Sequence, residues 1–243
     1  MNRRSFLLLS ALAPLSASSI SSDVFLSADE WEILLVLHSR LNRIKKTVGY
    51  GNFNLLSYEK ALWCTRNYSF VGEFTRDEFT LMEKLFYENP YQYGFYGEKT
   101  SEYIDNIVSI RDVVKIRGTG HHLYKGKALE DYKKLKKDVG DNLTLTSGVR
   151  NVMKQMNLYT AKLISCKGNI TKASISIAPP AYSYHTISDF DVGRKDWGYS
   201  NFTEKFATTD EFKIMSKLDY IGMRYNKNNT EGVRFEPWHV EVI

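Results

Sequence analysis

The sequence predicts an α+β fold: a small antiparallel sheet flanked by helices, preceded by an N-terminal helical region. Three observations carry this expectation. Apolar residues recur at helical spacing through the first hundred positions. Beyond Tyr103 the composition shifts to short β-branched runs, first at Val108–Ile116 and later near Leu143–Thr146 and Phe190–Val192. Glycine and proline break these runs into short pieces. The 243 residues suffice for one sizeable domain, or for one domain with a helical annex. The expected division is a leader over 1–19, a helical region over 20–100 and a mixed region over 101–243.

Residues 1–19 read as a targeting segment. Arg3-Arg4 precede an apolar run from Phe6 to Leu15, too short to span a bilayer, and the small residues Ser16 to Ser19 follow. The order Arg-Arg-Ser-Phe-Leu resembles a twin-arginine export signal, with a general secretory signal as the alternative. The expectation is an exported protein, periplasmic or extracellular, with no stable membrane span once the signal is removed.

Ser27-Ala28-Asp29-Glu30 has the form of a capping box. Trp31, Leu34, Leu37, Leu41 and Ile44 then mark a helix that Gly49 and Gly51 stop. Leu55 to Trp63 is expected as a second helix. Thr75-Arg76-Asp77-Glu78 opens a third, with Phe79, Met82, Leu85 and Phe86 on one face and Asn89-Pro90 at its end. The loop Tyr91–Gly97, rich in aromatics, is expected to pack against the rest of the protein or to line a groove. His121-His122 is expected in a surface turn beside Gly118 and Gly120, because adjacent residues point apart and do not readily share one ion. Ala128–Val139 is an amphipathic helix with lysines outward. Leu143–Thr146 reads as a strand, Asn151–Leu163 as a helix, and Ala173–Ala178 as a further strand. Arg150 falls where the first of these strands turns into the helix, a place from which one long cation can enter a cleft.

Composition narrows the function classes. The formal charge is +5, but two of the basic residues, Arg3 and Arg4, belong to the leader. The mildly basic remainder suits an anionic polymer such as cell wall, and no clustered basic and aromatic motif argues for nucleic acid. Cys64 and Cys166 form no Cys-x-x-Cys pair, so no cysteine-based zinc site is expected. They are either bridged to each other or two separate buried thiols.

The chemistry concentrates near the C-terminus, in Ser183-Tyr184-His185-Thr186-Ile187-Ser188-Asp189-Phe190-Asp191-Val192 and Glu236-Pro237-Trp238-His239. Two imidazoles, a carboxylate ligand and a second carboxylate three residues before a histidine are the inventory of a catalytic zinc site. Strand periodicity puts Asp189 and Asp191 on one face, so either can meet an ion that His185 holds, while the other orients a ligand histidine. Pro237 forbids a regular ladder, so the segment can aim Glu236 and His239 into one cleft with Trp238 packed beneath.

Ser183-x-His185, Asp191-Val192 and Glu236-x-Trp238-His239, with Ser147-Gly148-Val149-Arg150 and Gln155 ahead of them, resemble the zinc D-alanyl-D-alanine carboxypeptidases and dipeptidases of the vancomycin-resistance type. That family shares the hedgehog-like fold, and the resemblance covers about Leu143 to the C-terminus. It implies one zinc ion held by His185, Asp191 and His239, with Asp189 as the alternative ligand. It also implies Glu236 as the general base and Arg150 as the cation facing the scissile carbonyl or the substrate carboxylate. In this chain Asp191 stands six residues after His185, one fewer than the family usually has. The implied function is hydrolysis of peptidoglycan stem peptides as a D-alanyl-D-alanine carboxypeptidase. The alternatives are an endopeptidase of peptidoglycan cross-links and a non-catalytic zinc-containing module that binds cell wall.

Overall fold

The structure, a computed structural model, describes residues 23–242. The export signal expected over 1–19 lies outside them. Helix α1 (Ala28–Val48) starts at the expected capping box: Ser27 Oγ accepts from the Glu30 amide, and the Glu30 carboxylate accepts from the Ser27 amide. Its buried face is Leu34, Leu37, Leu41 and Ile44, and it stops at Gly49, whose φ of 86° suits a residue without Cβ. The short α2 (Tyr50–Phe53) and α3 (Tyr58–Asn67) follow, and then α4 (Arg76–Tyr87), opened by the Thr75–Glu78 box. The buried Arg40 on α1 donates to both Glu78 oxygens at 2.8 and 3.0 Å and to the Val71 carbonyl at 2.9 Å. A forked pair of this kind fixes the α1–α4 crossing, because removing either partner strands a buried charge.

In the aromatic loop, Tyr93 and Phe95 enter the core while Tyr91 and Tyr96 remain exposed. The β-branched stretch after it forms less strand than its composition suggests. Ile110–Asp112 is a 3-10 turn, leaving β1 (Val113–Lys115) to pair antiparallel with β2 (His122–Tyr124). The histidine pair does not lie in the surface turn expected for it. The glycines make the turn, His122 is buried in β2, and His121 is half-buried.

Then come α5 (Lys127–Val139), β3 (Leu143–Ser147), α6 (Val152–Ser165) and α7 (Ile170–Ser174). Ala173–Ala178, expected as a strand, instead ends α7 and continues as a turn. The Asn169 side chain accepts from the Lys172 amide at 2.8 Å, and this local cap outweighs a weak alternation of small residues. The chain closes with β4 (Phe190–Arg194), α8 (Asp210–Met215) and β5 (His239–Val240). Strands β3, β4 and β5 form an antiparallel sheet in that order, with β4 central.

Among the described residues two apolar cores result. One joins the N-terminal helices to α6 and α7, through residues such as Leu37, Met82, Phe86, Met156 and Tyr159. The other lies against the three-stranded sheet, where Leu135, Leu145, Phe190, Phe206 and Trp238 meet. Helix α6, which follows β3 in the chain, packs into the core of the N-terminal helices. Cys64 and Cys166 are both free thiols. No helix among the described residues is long and apolar enough to cross a membrane.

Leu37 is fully buried in the first core. Leu37→Ala is expected to lower unfolding free energy by about 2–5 kcal/mol, read as a lower midpoint in urea at unchanged slope.

Candidate metal centre and active-site cleft

The site is built on a cross-strand pair. In the register of β4 and β5, Asp191 lies directly opposite His239, and on its other side Asp191 lies opposite Ser147. Residues opposed in this way bring their side chains to within a few ångströms on one face of the sheet. A bulge in β3 between Leu145 and Ser147 shifts the register just before the chain leaves the sheet toward Arg150. His185 arrives separately, on the 3-10 turn Tyr184–Thr186. The Arg150 amide donates to the His185 carbonyl, and the Thr186 hydroxyl donates to the Arg150 carbonyl, which locks this turn to the strand exit. Gly148 lies between, where an added Cβ would overlap the His122 carbonyl, so glycine is required by close approach of two backbones.

His185, Asp191 and His239, all buried, place ligand atoms within 4.8 Å of one another. The His185 Nδ1–H donates to the Gly148 carbonyl at 3.0 Å, which leaves Nε2 unprotonated and facing Asp191 Oδ1 at 3.3 Å. His239 Nδ1 lies 3.1 Å from that same oxygen, while its Nε2 meets Asp189 Oδ2 at 3.0 Å. Donors arranged tetrahedrally about a zinc ion at 2.0–2.1 Å are separated by about 3.3 Å. The two imidazole-to-carboxylate spacings match that figure, and the donor types are zinc's.

Asp189 thus does not join the cluster. It stands behind His239, accepting also from Arg224 Nε at 2.7 Å and the Val242 amide at 3.1 Å. This is the orienting position that ligand histidines usually have. Arg224 continues the chain to Glu241 at 3.1 Å and lies 3.6 Å over the Tyr184 ring.

Arg150 is engaged at the site: Nη2 donates to Asp191 Oδ2 at 2.6 Å and Nε to Ser147 Oγ at 2.9 Å. Burial alone would raise the Asp191 carboxyl, but the adjoining His185 and Arg150 hold it well below the usual carboxylate range. Burial and then Arg150 push His185 down to about 4, so the ring is neutral. Burial also works against charge on His239, but its bonds to Asp189 and Asp191 prevail and raise it to about 9. Without a metal ion the His239 imidazolium supplies the positive charge between two buried carboxylates.

Glu236 faces the same cleft. Burial, with the Asp191 charge reinforcing it, pushes its carboxyl up to about 7 against the pull of His239 and Arg234. Its amide donates to the Tyr225 carbonyl at 2.9 Å. Trp238 is buried beneath, with Phe202 edge-on and the Arg234 guanidinium 5.2 Å over its ring. Ser183 is buried at the cleft and its carbonyl accepts from the Thr100 hydroxyl at 3.0 Å. Every residue singled out from the sequence motifs therefore reaches this region. The motifs did not disclose His121, Lys154, Arg224 or Tyr225, whose ring lies 4.7 Å from that of His239. The histidine pair was visible but was expected in a surface turn; its direction depends on a β1–β2 register set by three residue pairs. The other three carry no spacing signal.

The cleft encloses about 510 Å³ and runs from the histidines along α6, past Leu158 and Ala161, to Lys162. A neutral imidazole, a charged one, a buried carboxylate and a second carboxylate near neutral pH surround one end. Such a set can hold a divalent ion and move one proton beside it.

A family model described as VanY, D-alanyl-D-alanine carboxypeptidase, matches residues 121–243. No curated protein matches the sequence. Among solved structures, a vancomycin-resistance D,D-pentapeptidase VanY from a VanB-type cassette, in complex with Zn(II), is 19% identical. That match covers 54% of this chain and 77% of the other, with a TM-score of 0.41. VanYB in complex with D-alanine-D-alanine is 18% identical, over 59% of this chain and 81% of the other, with a TM-score of 0.43. The D,D-dipeptidase VanXYg in complex with a D-Ala-D-Ala phosphinate analogue is 17% identical, over 62% of each chain, with a TM-score of 0.49.

A metal ion entering the cluster must displace the proton that His239 holds up to about 9, whereas His185 is already neutral. Zinc affinity is therefore expected to rise by about tenfold per pH unit from pH 7 towards 9 and to level off above it. Calorimetry in buffers of different ionisation enthalpy should register about one proton released per ion at pH 7; no release would contradict the charged state assigned to His239.

Proposed function

The chain belongs to the VanY family of D-alanyl-D-alanine carboxypeptidases, zinc hydrolases of peptidoglycan precursors, and on that premise we propose how its own residues divide the work. His185 Nε2, Asp191 and His239 Nδ1 hold one zinc ion, and Glu236 is the general base. The observation that carries this reading is the convergence of three buried donors with a fourth group, the Glu236 carboxyl, raised to about 7. When bound, zinc supplies Lewis acidity, which activates water and polarises a carbonyl.

The remaining chemistry belongs to the protein. Water oxygen bonds to the carbonyl carbon as the C=O π electrons move onto the carbonyl oxygen; when they return, the scissile C–N bond breaks. Glu236 accepts a proton from that water and returns it to the departing amine. A carboxyl with pKa near the working pH does both steps well, and such transfer contributes about 10²–10⁴-fold. Arg150 fixes Asp191 and presents positive charge to the oxygen that becomes anionic, a role worth about 10²–10³ in rate for one donor. Asp189, braced by Arg224, keeps the His239 ring turned so that Nδ1 faces Asp191 Oδ1, where it would be available to the ion.

A cleft of this volume accepts more than a free dipeptide. This favours a stem peptide as substrate and removal of its terminal D-alanine. The expected export signal, Arg3-Arg4 with the apolar run Phe6–Leu15, supports action outside the cytoplasmic membrane.

Incubation with muropeptides ending in D-alanyl-D-alanine should release one alanine, detected by mass, and chelator should stop it. Opened cross-links would instead mark an endopeptidase, and no product with zinc bound would mark a binding module. Glu236→Gln is expected to retain zinc and to lose about 10²–10⁴-fold in kcat, while His239→Ala loses both. A fully active Glu236→Gln enzyme would end the base assignment.

A further inference from the structure

The cleft contains a cation that the mechanism above leaves unused. Lys154 sits on the first turn of α6, half-buried, lining the cleft with His121, Arg150 and Asp191. Its neighbours in sequence are committed: Arg150 to Asp191 and Ser147, and Gln155 Nε2 to the Ala178 carbonyl at 2.8 Å. Lys154 is not. Among the described residues no carboxylate lies within 4.0 Å of its Nζ, and the charges that reach it, Arg150 and Lys45, are both positive. Burial, and then these two cations, push the ammonium down to about 8, so it remains charged at neutral pH. Lys45 is itself bound to Asn157 Oδ1 at 3.1 Å, and His121 is held neutral, down to about 4, chiefly by burial.

A partly desolvated ammonium surrounded by like charge is unfavourable in the free protein. A local conflict of this kind in a cleft marks a functional position, and an anion entering from solvent would resolve it. Peptide substrates bring carboxylates. We propose, resting on the zinc-peptidase reading, that Lys154 is a specificity-determining residue that binds a carboxylate of the peptide substrate. The carboxylate is either that of the C-terminal residue or one borne further along the peptide.

Zinc-loaded wild type, Lys154→Met and Lys154→Arg decide the matter on matched peptides. One pair differs only in a free acid or an amide at the C-terminus. The other differs only in an interior glutamate or glutamine. A charge-assisted bond in such a site corresponds to about 10–100-fold. Lys154→Met is expected to lose that factor in kcat/KM, through KM, on the peptide that bears the recognised carboxylate. On its uncharged partner it should match wild type, and Lys154→Arg should keep most of the preference. Whichever pair shows the contrast identifies the carboxylate. An equal loss on all four peptides, or no loss on any, overturns the proposal. The melting temperature of ligand-free Lys154→Met should equal or exceed that of wild type, since an uncompensated charge is removed; a fall of several degrees would mark a structural lysine and also overturn it. Calorimetric Kd values for the same four peptides keep the two readings apart. If wild type cleaves none of them, the hydrolase reading fails, and the acid-against-neutral contrast in Kd still decides on Lys154.

Discussion

The site depends on one buried anion. Asp191 occupies the middle strand of a three-stranded sheet, fully desolvated, with His239 across one ladder and Ser147 across the other. Such a carboxylate is tolerated only when it is surrounded by donors. Arg150 supplies two of its requirements at once, neutralising the charge and holding the strand exit through Ser147. The other oxygen is shared between the two imidazoles. Its place in the ladder decides where every other group must stand.

Around this anion the protein alternates charge outward in shells. His239 is followed by Asp189, Asp189 by Arg224, and Arg224 by Glu241. Each link satisfies a buried group that would otherwise destabilise the fold. The same links hold His239 in one orientation. Stability and function therefore share these residues, and the arrangement differs from the apolar packing that supports it. The N-terminal helices contribute no charge to the cluster. Through the core they share with α6, they hold the wall on which Arg150, Lys154 and Gln155 are mounted.

Local signals were strong where chemistry is local. Both capping boxes open their helices as the sequence implied, because Ser27–Glu30 and Thr75–Glu78 satisfy their own end groups without outside help. The apolar face of α1 was legible for the same reason: a 3.6 period needs no partner to be seen. The strands were less legible. Val108–Ile116 shrank to three paired residues, and Ala173–Ala178 became a helix end and a turn, since short strands exist by virtue of their neighbours.

The sequence by itself determined the inventory: two histidines, two neighbouring aspartates, a glutamate three residues before the second histidine and an arginine, in an order that also suggested the chemistry. Only tertiary structure separates the surroundings of Asp189 and Asp191, because both flank the same histidine and only the β4–β5 register says which nitrogen each one meets. It likewise turned His121 and Lys154 into the cleft and left the two cysteines apart. Residue type and spacing specify what a side chain can do. Which groups surround it, and hence its charge, depends on segments far away in the chain.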